Sequence, residues 1–407
     1  MSRSFLFLQG VCSPFFARLA DRLRQDGHRV FRVNFNAGDQ LAWAGRPAWN
    51  YRGPLAALGD FLVDRYQACG ITDQILFGDC RPVHRPAIAE GRAHGVRTHV
   101  FEEGYFRPSW VTLERDGVNG YSLLPRDPNW YRQVGSGLPD HDDAHSFPSP
   151  FFLRALHDVC YHVTGSANPV LFPRYRTHAP VHAALEYLGY LRRLPLLRVH
   201  RPRDAALIAR VMAARTPFFV LPLQLDGDAQ IRTHSRFPDM TAVMAEVMAS
   251  FARHAPETAR LLIKNHPLDS GLLNYSRIIR RLAARFDLTG RVHFLETGNL
   301  EALLPQARGT VVVNSTVGSL ALGLDCPTMA LSQPIYNLPG LTFQGHLDSF
   351  WREGTRPDST LFRCFRNTVI HATQVNGGFY SRQGIGLLVD NCRPMLTAER
   401  SPLEEFL

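Results

Sequence analysis

Two separate series of alternating strand and helix signals constrain most strongly what this chain can fold into. In the first hundred residues, short apolar runs alternate with stretches in which apolar residues recur at helical spacing. A chain that alternates strands and helices in this way typically forms a parallel sheet with helices on both faces. The predicted strands are Ser4–Leu8, Arg29–Phe35, Gln74–Gly78 and Arg97–Phe101, and the predicted helices follow Ser13 and cover Leu55–Ala68 and Arg85–His94.

A second series begins near residue 218, after a less regular stretch that we interpret as the rest of the first lobe and a connector. Its predicted strands are Phe218–Leu225, Arg260–Lys264, Arg291–Leu295 and Thr310–Val313, separated by helical patterns. The sequence therefore predicts an α/β protein with two Rossmann-like lobes that face a cleft. We place an N-terminal lobe with a helical insertion at 1–210 and a C-terminal lobe at 211–365. The segment 366–407 is predicted to pack back on the N-terminal lobe.

Composition narrows the class of protein. The 407 residues are 45% hydrophobic and 20% charged, as in folded globular domains. Apolar runs such as Phe218–Leu223 are much shorter than the roughly 20 residues that span a bilayer. Met1 leads into a strand rather than into a signal peptide, so we expect a cytoplasmic protein. The seven cysteines form no CxxC pair, so neither a disulfide framework nor a zinc site is expected.

The net charge of +9, with arginine dominating the positive side, suits phosphate and carboxylate ligands, an anionic membrane surface or nucleic acid. Charge alone does not choose among them. No GxxxxGK[ST] motif occurs and no GxGxxG follows a predicted strand, which argues against an ATPase or a nicotinamide enzyme. The charge is spread along the chain and no nucleic-acid-binding module is recognisable, so we expect no nucleic-acid partner.

Polar residues follow the predicted strands of both series. Because ligands of open parallel sheets bind beyond the carboxyl ends of the strands, these residues form the candidate site. In the first series they are Gln9, Gly10, Ser13, Asp79, Glu102, Glu103 and Gly104. In the second series they are Gln224, Asp226, Asp228, Lys264, Asn265, His266, Pro267, Asn314, Ser315 and Thr316.

Two of these segments are suited to binding an anion. Asn314–Gly318 opens a predicted helix, whose unpaired N–H groups and dipole favour negative charge. We predict a phosphate contact there, with ordinary N-capping by Ser or Thr as the alternative. His266 can donate to phosphate from a strand end where Pro267 fixes the turn, and a surface or core histidine is the alternative.

Glu102–Pro108 is the most unusual segment. Adjacent carboxylates after a strand point in opposite directions, so at most one readily faces a ligand. Gly104 permits a turn, and Arg107 can pair with a carboxylate or hold an anionic sugar, whereas the alternative is a solvated acidic turn. Asp226 and Asp228 have a spacing that can hold a divalent metal, but so short a pattern is weak evidence and we expect no metal.

Five motifs, in order along the chain, resemble those of the KpsS (LipB) family of capsular polysaccharide proteins. They are Gln9-Gly-x-x-Ser-Pro, Glu102-Glu-Gly-Tyr-x-Arg-Pro-x-Trp, Pro222-Leu-Gln-Leu-x-Gly-Asp, Asn265-His-Pro and Asn314-Ser-Thr-Val-Gly, and the match runs roughly from Phe5 to Phe350. The resemblance implies a GT-B-like fold and a retaining β-Kdo transferase. It also implies an acceptor-side N-terminal lobe and a C-terminal lobe that binds the CMP-sugar donor.

The resemblance further implies CMP-Kdo as donor and a phosphatidylglycerol-type lipid as acceptor. Such an enzyme initiates a poly-Kdo linker at the cytoplasmic face of the inner membrane, where other capsule assembly proteins are expected partners. Glu103 and Glu102 are the implied catalytic residues, and Glu103 stands where related β-Kdo transferases carry the Asp of a Glu-Asp-Gly segment. Together with the strand-end positions, this predicts donor contacts from His266, Pro267, Lys264, Asn314, Ser315, Thr316, Gly318, Gln224, Asp228 and Arg107, an acceptor side formed by Gln9, Gly10, Ser13 and Asp79, and no cofactor.

Some alternatives stay open. Tyr187–Arg203 mixes leucines with arginine and histidine, which fits either an anionic membrane surface or a core-facing helix with a solvated basic side. Another GT-B transferase, using CMP-sialic acid or a UDP-sugar, is the alternative enzyme. A non-catalytic polyanion-binding protein is the alternative from another class.

Overall fold

The chain divides into two compact units, each assembled from separate parts of the sequence. The first unit consists of Met1–Leu124, Leu138–His178 and Asn367–Leu407, and the second of Pro125–Gly137 and Ala179–Arg366. The computed structural model describes residues 2–141, 144–177 and 181–407. Within these residues each unit contains one β-sheet.

The elements follow one another in chain order across both units. The strands are β1 (Ser4–Phe7), β2 (Arg29–Asn34), β3 (Trp49–Asn50), β4 (Asp73–Phe77), β5 (Arg97–Glu103), β6 (Trp110–Arg115), β7 (Phe218–Pro222), β8 (Arg260–Lys264), β9 (Val292–Leu295), β10 (Gly309–Val312), β11 (Thr328–Ala330) and β12 (Gln374–Asn376). The helices are α1 (Phe15–Gln25), α2 (Ala37–Trp43), α3 (Leu58–Cys69), α4 (His84–Ala93), α5 (Pro128–Ser136), α6 (Phe151–Gly165), α7 (Asn168–Leu171), α8 (Ala183–Ala213), α9 (Ala229–Arg232), α10 (Met240–His254), α11 (Tyr275–Arg285), α12 (Leu300–Leu303), α13 (Thr316–Gly323), α14 (Leu347–Glu353), α15 (Ser359–Thr373), α16 (Arg382–Thr397) and α17 (Pro402–Phe406).

The sheet of the first unit has the order β12-β6-β5-β4-β1-β2-β3. Strand β1 is buried on both faces, which explains its continuous apolar sequence. Phe5 and Phe7 pack on one side with α1 and α16. Leu6 and Leu8 pack on the other side with α3 and α4. The predicted parallel core is confirmed for β2, β1, β4 and β5. The short strand β3, which was not predicted, pairs parallel with β2 and extends this core.

The remaining strands of this sheet run antiparallel, which the helix–strand alternation did not indicate. Strand β6 pairs antiparallel with β5, and β12 with β6. This pairing extends β5 to Glu103, two residues past its predicted end at Phe101, with Glu103 opposite Val111. Gly104 begins the connection to β6, and a Cβ at this position would lie 2.1 Å from the carbonyl oxygen of Trp110. Only glycine fits so close an approach of two backbones.

The second unit contains a wholly parallel sheet of order β11-β10-β7-β8-β9. Counted within this unit, the strands follow the Rossmann order 5-4-1-2-3, and the five parallel strands of the first unit have the same order. The reversal of strand order lies between β7 and β10 here and between β1 and β4 in the first unit. The two predicted Rossmann-like α/β lobes are therefore confirmed, apart from the antiparallel edge.

The unit boundaries differ from the predicted ones. The predicted boundary at residue 210 falls inside α8, which belongs to the second unit. Val211 packs in the core under β7, and Asp204 accepts hydrogen bonds from the backbone N–H and hydroxyl of Thr297 at 2.9 and 3.0 Å. The C-terminal residues Asn367–Leu407 lie in the first unit, where they supply β12 and α16. Long-range contacts of this kind set unit boundaries, and helical spacing does not reveal them.

Candidate functional site

The reversal of strand order in the second unit brings two predicted site residues together. Gln224, after β7, donates from Nε2 to Asn314 Oδ1 at 3.0 Å, and the backbone N–H of Asn314 donates back to Gln224 Oε1 at 3.2 Å. Asn314 Nδ2 also donates to the carbonyl of Gln230 at 2.7 Å. Both side chains are buried. They hold the ends of β7 and β10 in register and so position the start of α13, whereas direct contact with a donor stays a prediction.

The start of α13 has the geometry of an anion site. Ser315 is the N-cap and accepts the backbone N–H of Val317 at 3.2 Å, as the capping interpretation expected. Tyr336 is buried against this turn and donates to the Ser315 carbonyl at 2.6 Å. A Cβ on Gly318 would lie 2.2 Å from the Tyr336 hydroxyl oxygen, so glycine is required for this packing. Ser315 and Thr316 remain half-exposed at the end of the helix where backbone N–H groups attract negative charge.

The loop after β8 carries two predicted donor contacts, His266 and Pro267. His266 Nδ1 accepts the backbone N–H of Leu268 at 3.1 Å, so in the neutral ring the proton lies on Nε2. A ring in this tautomer is a hydrogen-bond donor through Nε2, which is the property that phosphate binding requires. Asn265 Oδ1 accepts the backbone N–H of His266 at 2.8 Å and so fixes the turn from the other side.

Lys264 is the single lysine of the sequence and lies in the last position of β8. Its ammonium group donates to the carbonyl of Asn265 at 2.9 Å and is buried. Burial and the neighbouring Arg193 guanidinium lower the pKa of Lys264 below its ordinary value. An anion that binds near this ammonium group favours its charged form over the neutral amine and so raises its pKa.

Arg193, on α8, is a residue of this site that the sequence did not identify. Its guanidinium donates to the carbonyls of Pro267 at 3.0 Å, Asp269 at 2.7 Å and His266 at 3.3 Å. It also contacts Glu296 Oε2 at 3.1 Å. Because the side chain is buried, it cannot belong to a membrane-facing side of the basic stretch Tyr187–Arg203. The sequence did contain a signal for this role, because Arg193 is a basic residue on the core-facing side of a helix whose other sides are exposed.

The rest of α8 is unusually exposed. Leu188, Leu191 and Leu194 are more than half exposed, as is Val199. Arg192 and Arg198 lie among them on the surface. Among the described residues, no helix combines the length with the hydropathy that crossing a bilayer requires.

The two carboxylates of the Asp-x-Asp pattern are used in capping. Asp228 Oδ1 accepts the backbone N–H of Gln230 at 2.9 Å, at the start of α9. Asp226 Oδ1 accepts the backbone N–H of Met240 at 2.9 Å, at the start of α10. These bonds give the pair a structural role, and the donor contact proposed for Asp228 stays a prediction.

In the first unit, Glu103 lies at the carboxyl end of β5 and faces a cation. Its Oε1 is 3.4 Å from Arg154 Nη1 of α6, and this buried oxygen accepts no hydrogen bond within the described part of the chain. The guanidinium of Arg154 lies 5.1 Å from the ring centre of Tyr380. Burial and the charge of Glu103 raise the pKa of Tyr380, which keeps its hydroxyl protonated. A carboxylate with an unsatisfied oxygen beside a cation is available for chemistry.

Glu102 has a different environment, as the alternation of strand side chains predicts. Its Oε1 accepts the backbone N–H of Glu103 at 2.9 Å, and its Oε2 would lie 3.2 Å from a Cβ on Gly78. Glu102 therefore packs at the end of β4 and supports the strand end. Arg107 is exposed in the connection between β5 and β6, where its Nε donates to the carbonyl of Gly104 at 3.4 Å. The structure thus places Arg107 in the first unit, with no carboxylate bonded to it among the described residues.

Gln9, at the end of β1, belongs to a buried polar network. Its Nε2 donates to the hydroxyls of Tyr175 at 3.2 Å and Tyr161 at 3.3 Å. Tyr161 in turn donates to Asp39 Oδ1 at 3.1 Å, and Asp39 lies 3.5 Å from the buried guanidinium of Arg32. This network, at the carboxyl ends of β1 and β2, fixes the amide of Gln9. The sequence patterns did not identify it, because its members come from parts of the chain as far apart as Gln9 and Tyr175.

The other predicted acceptor-side residues have local structural roles. The Ser13 hydroxyl accepts the backbone N–H of Phe15, where α1 starts, and a Cβ on Gly10 would lie 2.7 Å from the Phe16 ring. Asp79 is buried and accepts the backbone N–H of Val118 at 2.8 Å. These three residues shape the switch point between β1 and β4, and their contact with an acceptor stays a prediction.

A buried acid next to Asp79 was also missed by the sequence analysis. Glu114 of β6 accepts a hydrogen bond from the Tyr105 hydroxyl at 2.7 Å and another from the Ser122 hydroxyl. Burial raises the pKa of Glu114 from 4.5 to about 7, with a smaller contribution from the charge of Asp79. Tyr105 also accepts the backbone N–H of Asn119 at 2.7 Å, so this cluster holds the loop that Asp79 binds.

Comparisons with known proteins give consistent matches over nearly the whole chain. The sequence matches the family model described as "Capsule polysaccharide biosynthesis protein" over residues 72–380. It is 34% identical over 381 residues to the capsule polysaccharide export protein KpsS of Escherichia coli, covering 93% of this chain and 97% of that protein. It is 34% identical over 393 residues to the capsule polysaccharide modification protein LipB of Neisseria meningitidis serogroup B, covering 94% and 92%. A solved structure of Thermosulfurimonas dismutans KpsC, described as a beta Kdo 2,7 transferase, aligns at 14% identity over 89% of each chain with a TM-score of 0.42.

Proposed function

This chain belongs to the capsule polysaccharide biosynthesis protein family, and we propose that it is a retaining β-Kdo transferase. Its donor is CMP-Kdo and its acceptor a phosphatidylglycerol-type lipid, so that it initiates the poly-Kdo linker of a capsular polysaccharide. The observation that carries the proposal is the carboxylate of Glu103, which lies at a strand end 3.4 Å from Arg154 and has one oxygen that accepts no hydrogen bond from the described residues. That is the group a two-step displacement at a sugar needs.

The second unit supports the donor part of the proposal. The start of α13 offers backbone N–H groups and the hydroxyls of Ser315 and Thr316 to one phosphate. The His266 turn provides a ring N–H donor, and the only lysine lies two residues before it. CMP leaves as a monophosphate, which carries less charge than a diphosphate. Donors of this kind can stabilise it, so the proposal requires no metal.

In the proposed reaction, a carboxylate oxygen of Glu103 attacks the anomeric carbon of Kdo. The bond from that carbon to the phosphate oxygen breaks, and CMP departs with the electron pair. An acceptor hydroxyl then attacks the same carbon from the opposite face, releases its proton to solvent and displaces the carboxylate. Two inversions give overall retention of configuration. Arg154 stabilises the carboxylate in its role as leaving group.

The acceptor part of the proposal places the protein at the cytoplasmic face of the inner membrane, attached peripherally. It is supported by the net charge of +9 and by the exposed apolar residues of the helices. Other capsule assembly proteins are the proposed partners.

The decisive experiment incubates the full chain with CMP-Kdo and a phosphatidylglycerol-type lipid acceptor and identifies the product by mass spectrometry and NMR. We expect one Kdo in β linkage. Parallel incubations with CMP-sialic acid and with UDP-sugars serve as controls. Product from one of these donors alone would overturn the assignment of Kdo, and thermal stabilisation by UDP rather than CMP would overturn the assignment of the nucleotide.

A further inference from the structure

Helix α6 of the first unit has its polar side turned inward. Arg154 contacts Glu103 at 3.4 Å, and Tyr161, seven residues later, bonds with Gln9 and Asp39. Residues seven apart lie on one face of a helix, so this face covers the carboxyl ends of β1, β2 and β5. A Cβ on Gly38 of α2 would lie 2.7 Å from the Tyr161 ring, so the helix is packed closely on this side.

The opposite face of α6 is apolar and exposed. Its residues recur every three or four positions, at helical spacing: Phe152 is 70% exposed, Leu156 45%, Val159 39% and Val163 61%. Val170, in the following helix α7, is 82% exposed. A water-soluble helix normally has the reverse arrangement, with its apolar stripe in the core. A stripe of this kind on the surface marks a place where the protein meets an apolar partner.

The charges of the segment that carries this stripe indicate the kind of partner. Between residues 151 and 177 the sequence contains one carboxylate, Asp158, and three arginines. Arg154 faces inward, while Arg174 and Arg176 are exposed beside α7. The segment 151–177, which carries the stripe, therefore has a net positive charge. An apolar helix face with basic residues at its edge binds the interface of an anionic bilayer.

We propose that the outer face of α6, with Val170, Arg174 and Arg176, is the surface through which this protein binds an anionic lipid bilayer. The apolar side chains enter the boundary between headgroups and acyl chains, and the two arginines bind lipid phosphates. The inner face of the same helix holds Glu103 and Gln9 in place. This deepens the proposed function, and it rests on that function only for the claim that the lipid met here is the acceptor.

The test measures binding of the full chain to vesicles of phosphatidylglycerol and phosphatidylcholine by co-flotation, without donor. We expect Phe152→Gln/Leu156→Gln/Val163→Gln to weaken binding about tenfold or more, since three apolar side chains no longer enter the bilayer. Arg174→Gln/Arg176→Gln is expected to weaken binding to these vesicles roughly fivefold for each arginine. It should change binding to pure phosphatidylcholine little.

The matched control is Leu185→Gln/Leu188→Gln/Leu191→Gln on α8, which also removes three exposed apolar side chains. We expect this variant to keep wild-type affinity for the vesicles. Full binding by the α6 variant, with loss of binding by the α8 variant, would overturn the proposal and move the contact to α8. Thermal unfolding and CMP binding of each variant verify the fold. Because the assay needs no transfer, absence of Kdo transfer would overturn the proposed function without changing this result.

Discussion

Arg193 on α8 donates a hydrogen bond of 3.0 Å from Nη1 to the carbonyl oxygen of Pro267, 74 residues away in sequence. The same guanidinium holds the carbonyls of His266 and Asp269 and contacts Glu296. Its planar set of five N–H donors can bond several acceptors at once, which an ammonium group on a flexible stem cannot do with the same geometry. The turn that carries His266 is therefore shaped by a helix outside the strand–loop–helix unit to which it belongs.

Arg193→Lys should keep the charge but lose most of this network. We expect CMP affinity to fall roughly tenfold, which corresponds to the loss of about one hydrogen bond to a charged group. In transfer assays, KM for the donor should rise while KM for the acceptor stays the same. Arg198→Lys, at an exposed position of the same helix, is the matched control. Equal CMP affinity of the two variants in calorimetry would show that Arg193 does not position the donor loop.

His266→Ala should weaken CMP binding by about 1–3 kcal/mol, because it removes a ring N–H donor to phosphate. The fold should survive, since the hydrogen bond that the ring accepts is a local one, from the backbone N–H of Leu268 two residues later. Exposed His346 provides the control substitution His346→Ala. Calorimetry that finds unchanged affinity in His266→Ala would remove this residue from the site.

Glu103→Gln should abolish transfer while leaving CMP binding nearly unchanged, because it removes the attacking oxyanion but keeps the shape of the side chain. Glu102→Gln should cost less, since Glu102 supports the strand end through the backbone N–H of Glu103. Intact-protein mass spectrometry after mixing with donor alone should detect a Kdo adduct. Peptide mapping should then locate the adduct in the peptide that contains Glu103. If Glu103→Gln kept most of its turnover, the nucleophile would lie elsewhere, and Asp79 would be the next carboxylate to test.

The single lysine permits a direct test of the donor site by NMR. In protein labelled with isotopically enriched lysine, the one side-chain signal belongs to Lys264. Burial and Arg193 lower its pKa, so the signal should titrate below the ordinary value of 10.5. CMP should raise this pKa, because the phosphate stabilises the ammonium form. A pKa unaffected by saturating CMP would place the phosphate away from Lys264.

The ionisation of Glu114 should lower the free energy of unfolding as the pH rises. Its pKa is raised from 4.5 to about 7 in the folded state, so between these values the folded protein binds a proton that the unfolded chain releases. This contribution is complete below about pH 4.5 and is lost as the pH rises through about 7. Glu114→Gln removes the ionisation and should be more stable than the wild type at pH 8, by about 3 kcal/mol. Denaturant unfolding at pH 4.5 and pH 8 measures the difference, and an equal difference at both pH values would contradict it.

Local sequence patterns were sufficient to predict the order of strands and helices in both units and the polar residues at the strand ends. Apolar spacing and turn residues depend on neighbours a few positions apart, so strands such as β1 and β8 and the capped start of α13 could be recognised directly. The same patterns misplaced the end of β5 and did not reveal β6 or β12. The antiparallel pairing of Glu103 with Val111, and of β6 with a segment near residue 375, leaves no mark in the local spacing of apolar residues.

The tertiary structure decided what the strand-end residues contact. Gln9 and Tyr161 are 152 residues apart, and Arg193 and Glu296 are 103 apart, so neither pair has a local signature. The sequence identified Glu103 and His266 as candidates, but only the fold placed Arg154 beside one and Arg193 behind the other. The orientation of α6 was also decided there, because helical spacing defines an apolar stripe without saying whether the core or the polar strand ends lie beneath the helix. Periodicity is set by near neighbours, whereas the partner of a buried polar group is set by chain topology.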